Sequence, residues 1–272
     1  MNDRITRLFH DFRTQHAGAL LPYLSVGYPS LRVTRELILR ADQCGVAAIE
    51  LGFPFSDSIA DGPVIQSSFH HALANAFRVR DAFRLVREVR ADVGCALVAM
   101  LSYTLVHRMG LDHFMDQAAG VGLDGMILPD VPIEESDHIH QAIESRGLAH
   151  VGLVAPTTSP ERRQRIVRGA TGFIYQIAAA GTTGERAQLP DRLAHEVSEL
   201  RRESNLPVCV GFGISNPNQV REVCRLADGA VVGSALIRRM GDALKSGAGE
   251  EAVVEECSLF IQELMTGTVR TA

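Results

Sequence analysis

The sequence predicts an α/β fold of the (β/α)8 barrel class, because eight short apolar runs alternate along the chain with segments of helical periodicity. Each run is almost continuously hydrophobic, which is typical of strands that are buried on both faces of a parallel sheet. The runs lie at 20–26, 47–52, 96–101, 125–128, 150–154, 172–177, 207–211 and 229–233. A doubly wound open sheet is the alternative, but no G-x-G-x-x-G motif follows the first run, which weakens a dinucleotide-binding interpretation.

The segments between these runs carry typical helix signals. Residues 34–44 end before Gly45, and the pairs Ser159-Pro160 and Asn216-Pro217 place a capping side chain in front of a first-turn proline. The predicted helices cover 34–44, 81–90, 111–120, 134–146, 160–168, 192–203, 217–226, 235–245 and 250–265, and the charged stretch 1–15 is also helix-like. Nothing in the sequence is typical of a linker, so we expect residues 1–272 to form a single barrel domain.

Composition narrows the classes of function. The formal net charge is -5, without long runs of either sign, so we expect no basic surface for nucleic acid. No apolar stretch is long enough to cross a bilayer, and the N-terminus lacks the pattern of a secretory signal. The five cysteines form no C-x-x-C pair, and we expect them to be reduced and mostly buried, as in a cytoplasmic protein.

The chain also lacks the groups that several barrel chemistries need. Lys245 is the only lysine and lies in a C-terminal helix, so no lysine at a strand end can form a Schiff base. The histidines do not cluster at strand ends, so we expect most of them to face solvent and no catalytic metal. These absences favour a reaction that proceeds by proton transfer alone, without a cofactor.

Two carboxylates lie where barrel enzymes carry their catalytic groups, at the carboxyl ends of the strands. Glu50 ends the second predicted strand, and Asp61 lies in the Gly/Pro-rich loop that follows. Carboxyl groups in an apolar pocket have raised pKa values and can donate as well as accept protons. Asp130 after the fourth strand and Tyr175 in the sixth are further polar candidates. Because an acidic strand end before a D-G-P turn is also common in surface loops, this pair alone does not decide the function.

Glycine-rich loops predict an anion site at the same end of the barrel. Gly211–Ser215 (GFGIS) follows the seventh strand, and Gly233–Ala235 (GSA) follows the eighth and opens a helix. Freed backbone N–H groups together with a helix N-terminus bind phosphate, and loops seven and eight are its usual place on this fold. The sixth loop contains Gly184, which can add an N–H group to the same phosphate. We therefore expect a phosphate-bearing small molecule as the substrate.

Taken together, the motifs resemble the α subunit of tryptophan synthase over nearly the whole chain. They are LPYLSVGYP at Leu21–Pro29, ELGFPFSDSIADGPVIQ at Glu50–Gln66, LPDVPIEES at Leu128–Ser136, AGTTGE at Ala180–Glu185, and the GFGIS and GSA loops. The resemblance implies a (β/α)8 barrel with an extra N-terminal helix that cleaves indole-3-glycerol phosphate to indole and glyceraldehyde 3-phosphate in tryptophan biosynthesis. It implies that this half-reaction needs no cofactor, and that a β subunit, as partner, holds the pyridoxal phosphate of the full synthase.

The resemblance also implies roles for individual residues. Glu50 would protonate C3 of the indole and take the proton from the glycerol hydroxyl, while Asp61 would pair with the indole N–H and stabilise the positive charge that develops there. The residues implied in the indole pocket are Tyr23, Ile65, Met100, Ile127, Leu153, Thr183 and Phe212, with Tyr175 beside the reacting centre. Those implied around the phosphate are Gly184, Gly213, Gly233 and Ser234.

Two departures from the family pattern fall in loops that face the β subunit. Ser58 stands where the family usually has proline, and Thr104 stands where it usually has asparagine. These departures put docking of a β subunit in question rather than the chemistry, so a free-standing indole-3-glycerol phosphate lyase that releases indole is the alternative. A catalytically silent regulatory barrel and a phosphosugar isomerase or epimerase are further alternatives, against which the joint presence of Glu50 and Asp61 and the ADGP sequence argue.

Overall fold

A computed structural model describes residues 3–58, 61–178, 190–211 and 213–269 of the chain. In these residues, nine parallel strands form one sheet, in the order β5-β4-β3-β2-β1-β9-β8-β7-β6. The strands are β1 Ala19–Ser25, β2 Ala48–Gly52, β3 Ala96–Met100, β4 Gly125–Ile127, β5 Ala149–His150, β6 Gly152–Val154, β7 Ile174–Ile177, β8 Val208–Gly211 and β9 Gly229–Val232. All of them lie within one residue or two of the apolar runs in the sequence.

The two ends of this sheet belong to one barrel strand, which is interrupted at a single residue. β5 pairs with β4 and β6 pairs with β7, and only Val151 separates them. The Val151 N–H donates to the carbonyl oxygen of Met126 at 3.0 Å, so the chain continues alongside β4 through the interruption. The sheet therefore closes on itself with eight strand positions. This confirms the barrel prediction and contradicts the open sheet.

Helices connect the strands in the described residues. They are α1 Asp3–Thr14, α2 Leu31–Gln43, α3 Pro63–Ala74, α4 Val79–Val89, α5 Tyr103–Met109, α6 Leu111–Val121, α7 Asp137–Glu144, α8 Pro160–Gly169, α9 Leu193–Glu203, α10 Pro217–Leu226, α11 Ser234–Lys245 and α12 Glu250–Met265, with a 3-10 turn at Ile133–Glu135. Ser159 and Asn216 cap α8 and α10 as predicted, since their side chains accept hydrogen bonds from the third residue of each helix. None of these helices is long and apolar enough to span a membrane.

Three helical predictions need correction. α3 lies in a region that the sequence places in a Gly/Pro-rich loop, and α5 was not expected. The predicted helix over 134–146 is a 3-10 turn followed by the shorter α7, because Ser136 ends the turn and begins the helix. In α3, Pro63 stands at the first turn, where its missing N–H costs nothing, so the proline that ends the loop also begins the helix.

α1 closes the amino-terminal mouth of the barrel. Ile5 and Phe9 are buried in the cluster that fills the barrel interior, and the Phe9 ring lies 5.8 Å from that of Phe173. Four strands begin with alanine, at Ala19, Ala48, Ala96 and Ala149, and these small side chains leave room for the two large ones. Since this mouth is filled, a ligand can enter the barrel only from the carboxyl ends of the strands.

A buried ion pair ties α4 to the strands beside it. Arg90, which ends α4, donates to Asp124 at 2.9 Å and to the carbonyl oxygens of Val93 at 2.6 Å and Cys95 at 3.0 Å. Asp124 also accepts from the N–H of Leu97 at 2.8 Å. Both charged side chains are largely buried, so their mutual neutralisation offsets the cost of taking them out of water.

The cysteine and histidine predictions are confirmed in the described residues. Cys44 is half-buried, the other four cysteines are buried, and all five are free thiols. Eight of the ten histidines are exposed. The exceptions are His140 and His150, whose ring centroids lie 3.9 Å apart with the ring planes tilted by 39°, and burial lowers the pKa of both.

Candidate active site

Glu50 projects from the middle of β2 into the carboxyl-terminal mouth of the barrel. It pairs in register with Tyr23 of β1 and Val98 of β3, and its side chain is only 1% exposed. Its Oε1 atom is buried and has no hydrogen-bond partner among the described residues. Burial raises the pKa of this carboxyl to about 8, because the ionised form loses its hydration. At neutral pH, Glu50 is therefore mainly a neutral acid with a proton to donate.

Asp61 lines the same pocket from the end of the loop that joins β2 to α3. Its side chain is half-buried, and burial raises its pKa to about 6. The two carboxyl groups thus share one pocket with different proton affinities: near pH 7 Asp61 is mainly ionised while Glu50 is mainly protonated. Such a difference is the usual sign that one group serves as an acid and the other as a fixed negative charge.

Two buried tyrosine rings flank the carboxyl groups, and each lies over a glycine of the next strand. A Cβ atom built on Gly52 would overlap the hydroxyl of Tyr23, and one built on Gly211 would overlap the hydroxyl of Tyr175. Burial and the nearby carboxyl groups raise the pKa of both phenols. Glycine at these two strand ends therefore lets the rings cross from β1 to β2 and from β7 to β8.

The far side of the pocket is built from backbone. Gly213 has a φ of +88°, which a residue with a side chain rarely adopts, and Gly233 precedes the first residue of α11, Ser234. The first N–H groups of a helix have no partner within the helix, and the helix dipole adds partial positive charge there. This arrangement can hold an anion in the same pocket as Glu50.

These groups line one pocket that opens to solvent and has about 480 Å³ of empty space, its open mouth included. The residues that line it are Tyr23, Glu50, Asp61, Ile65, Met100, Tyr175, Gly213, Ile214, Val231, Gly233 and Ser234. Nine of these eleven are residues that the sequence singled out. The cavity combines carboxyl groups, a potential anion cradle and apolar side chains in its lining, which suits a substrate with an aromatic ring and a phosphate.

Five residues singled out from the sequence lie elsewhere or outside the described residues. Leu153 lines an adjoining cavity, which shares Asp61, Met100 and Tyr175 with the first. Ile127 is fully buried in the barrel interior and lines neither cavity. Thr183, Gly184 and Phe212 lie outside the described residues.

Sequence reasoning missed Ile214 and Val231, although both had a signal. Ile214 follows Gly213 within the GFGIS loop. Val231 lies two residues before Gly233 on β9, so the alternation of side chains along a strand puts both on the same face.

Asp130, another candidate from the sequence, has a structural role in the third loop. Its carboxylate accepts from the hydroxyl of Ser102 at 2.6 Å and from the N–H of Tyr103 at 2.9 Å, and so holds the start of α5. It lines an outer cleft that adjoins the pocket together with Asp57, Ser58, Thr104 and Arg108. In the described ranges, no group of three or more His, Cys, Asp or Glu side chains could hold a metal ion.

Comparison with known proteins decides the family. Residues 9–268 match the family model described as tryptophan synthase alpha chain. The chain belongs to the tryptophan synthase alpha chain family. It is 40% identical over 269 residues to the alpha chain of Chloroflexus aggregans, covering 98% of this chain and 99% of that relative. It is 37% identical over 265 residues to the alpha chain of Rhodopirellula baltica, covering 94% and 95%.

Solved structures agree with this assignment. A tryptophan synthase structure from Mycobacterium tuberculosis matches with a TM-score of 0.88 and 30% identity, covering 97% of this chain and 98% of that chain. The alpha subunit from Legionella pneumophila matches with the same TM-score, identity and coverage. The similar proteins are named as tryptophan synthase or its alpha chain, so the comparisons favour a tryptophan synthase alpha chain over a free-standing lyase.

Proposed function

We propose that this protein cleaves indole-3-glycerol phosphate to indole and glyceraldehyde 3-phosphate, as the alpha subunit of a tryptophan synthase. The observation that carries the proposal is Glu50, a buried carboxyl with a raised pKa and an unpartnered oxygen, in a pocket that also holds Asp61 and a glycine-lined helix N-terminus. As part of this proposal, the protein would work in the cytoplasm.

The two carboxyl groups divide the chemistry. Neutral Glu50 donates its proton to C3 of the indole ring, and ionised Asp61 accepts a hydrogen bond from the ring N–H and stabilises the positive charge that forms there. Glu50, now a carboxylate, removes the proton of the adjacent glycerol hydroxyl. The electron pair of the C–C bond then returns to the ring, which leaves as indole, and the hydroxyl carbon becomes the aldehyde of glyceraldehyde 3-phosphate.

The anion cradle fixes the other end of the substrate. Gly213, Gly233 and Ser234 would bind the phosphate through backbone N–H groups, with Gly184 of the sixth loop as a further donor. The indole ring would lie against Tyr23, Ile65, Met100 and Tyr175 and extend toward Leu153 in the adjoining cavity. Thr183 and Phe212 are proposed to complete this wall, and Ile127 to support it from within the barrel. Holding the phosphate and the ring at once keeps the reacting carbon beside Glu50.

The partner of this chain would be a tryptophan synthase β subunit, which would use the released indole. Its docking surface would include the outer cleft around Asp57, Ser58, Thr104 and Arg108, because that cleft opens directly from the pocket and shares Asp61 with it. A serine at 58 and a threonine at 104 keep the cleft polar, which is compatible with a rim that binds a protein partner.

Steady-state release of indole from indole-3-glycerol phosphate tests the proposal. We expect indole from the purified chain without an added cofactor, and a faster rate when a β subunit is present. Replacing Glu50 by Gln removes the transferable proton, and the rate should fall by about 10²–10⁴-fold. Undiminished indole release by Glu50→Gln would show that another group carries the proton.

A further inference from the structure

The loop that carries Asp61 is held by one side chain from the helix behind it. The Nε2 group of Gln66, in the first turns of α3, donates to the carbonyl oxygen of Ser58 at 3.0 Å and to that of Asp61 at 2.9 Å. The N–H of Asp61 also donates to the Ser58 carbonyl at 3.2 Å. A side-chain amide has two N–H donors, and Gln66 uses both on the two ends of this loop segment.

The helix that supplies Gln66 is itself fixed to the barrel by buried hydroxyls. The hydroxyl of Ser68 donates to the Ile65 carbonyl oxygen at 2.6 Å and lies 2.6 Å from the hydroxyl of Ser25, at the end of β1. Because the single proton of Ser68 is used on that carbonyl, Ser25 is the donor of the pair. Both serines are 1% exposed. α3 therefore has a fixed position relative to β1, and Gln66 holds the loop from a rigid support.

We propose that Gln66 is a positioning residue for Asp61, and that its amide holds the loop so that the carboxyl group faces the pocket. The proposal rests on the proposed role of Asp61 as the partner of the ring N–H. Gln66 is not among the residues that line the cavity, so it acts on the reaction only through the loop. A shift of about 1 Å in a charged group that must meet the ring N–H is enough to lower the rate substantially.

A second glutamine provides a matched control at the opposite end of the pocket. Gln219 lies in the first turn of α10, another helix that begins with proline, and its Oε1 accepts from the N–H of Ser215 at 2.8 Å and from its hydroxyl at 3.2 Å. Gln219 thus holds the loop of Gly213, whereas Gln66 holds the loop of Asp61. Replacement of either by Met keeps the length of the side chain and removes the amide.

The two variants should have different kinetic signatures with indole-3-glycerol phosphate. In Gln66→Met, kcat should fall about tenfold with KM within about threefold of the unaltered protein, since Asp61 acts on charge that develops in the transition state and two hydrogen bonds to its loop are lost. In Gln219→Met, the main change should be a KM raised about tenfold, because the loosened loop binds the phosphate in the ground state as well.

The pH profile separates positioning from a general loss of structure. A released Asp61 becomes better hydrated and its pKa falls from about 6, so the acidic limb of kcat for Gln66→Met should move to lower pH. The other titratable and charged groups around Asp61 are unchanged in both variants. They are Tyr23, Glu50 and Tyr175 in the pocket, Asp57, Arg108 and Asp130 in the outer cleft, and His140, His150 and Arg162 in the adjoining cavity. Gln219→Met should keep the acidic limb of the unaltered protein.

Either of two outcomes would overturn the proposal: a Gln66→Met variant with an unaltered kcat and acidic limb, or one whose defect lies in KM, as in Gln219→Met. Should Gln66→Met fail to fold, Gln66→Glu can be measured instead. Its carboxylate is hydrated but repels both carbonyl oxygens, so kcat should fall at least tenfold at pH 8. A separate variant tests the proposed role of Asp61 itself. Full activity in Asp61→Asn would show that Asp61 has no such role, whatever the result for Gln66.

Discussion

Ionisation of the buried Glu50 should lower the free energy of unfolding. At high pH, the Glu50→Gln variant should therefore be more stable relative to the unaltered protein than it is at low pH. The folded-state pKa of about 8 lies above the model-compound value of 4.5, so the folded protein holds this proton more tightly than the unfolded chain does. The stability that this tighter proton binding gives the folded protein is fully present below pH 4.5 and is lost as the pH rises toward 8. At 1.36 kcal/mol for each unit of pKa, the loss is below about 1 kcal/mol at pH 5, about 3 kcal/mol at pH 7 and about 4 kcal/mol at pH 8.

Urea unfolding at several pH values measures this loss. The free energy of unfolding of Glu50→Gln minus that of the unaltered protein should rise by about 3 kcal/mol between pH 5 and pH 8, because the amide has no proton to lose. Burying the amide has a cost that does not depend on pH, so it does not affect how this difference changes with pH. Glu135→Gln, the same change at an exposed carboxyl, is the control and should give parallel curves. Parallel curves for Glu50→Gln as well would refute the buried, protonated carboxyl.

Three further predictions concern the pocket and its frame. The pH profile of kcat/KM should be bell-shaped, rising through about pH 6 as the aspartate ionises and falling through about pH 8 as the glutamate loses its proton; a profile flat from pH 5 to 9 would contradict this. Gly52→Ala should lower kcat/KM at least about tenfold, because its methyl group displaces the Tyr23 hydroxyl, whereas Gly94→Ala adds only an ordinary contact and serves as the control. Arg90→Met should lower the free energy of unfolding by about 3 kcal/mol in urea titrations, because Asp124 stays buried without its main partner; a change below about 1 kcal/mol would contradict this.

Much of the barrel could be predicted from the sequence because its strands are buried on both faces. Such strands give almost continuous apolar runs, and the runs match all strand positions. α10 and α12 have the predicted bounds, and the start of α10 is marked by the Asn216 cap in front of Pro217. α3 was missed because Gly62-Pro63, which looks like a turn in sequence, is here the start of a helix.

The polar groups of the site were easier to predict than its apolar walls. Glu50, Asp61 and the glycine loops all fall at the carboxyl ends of predicted strands, so their joint presence there suggests a site. Ile127 resembles any other buried aliphatic residue in sequence, and only its complete burial in the barrel interior separates it from its register partner Met100, which lines the pocket. The bonds from Gln66 to the loop also leave no trace in sequence, because a glutamine in a first helical turn has many partners within reach.

A direct titration of Glu50 tests the central claim most closely. Carbon-13 NMR of protein labelled at the glutamate carboxyl carbon, with the Glu50 signal assigned by its loss in Glu50→Gln, gives the pKa of this one group. The buried acid described here should titrate with a midpoint near 8. A midpoint below about 5, the range of an exposed glutamate, would contradict a neutral Glu50 that donates its proton to the ring.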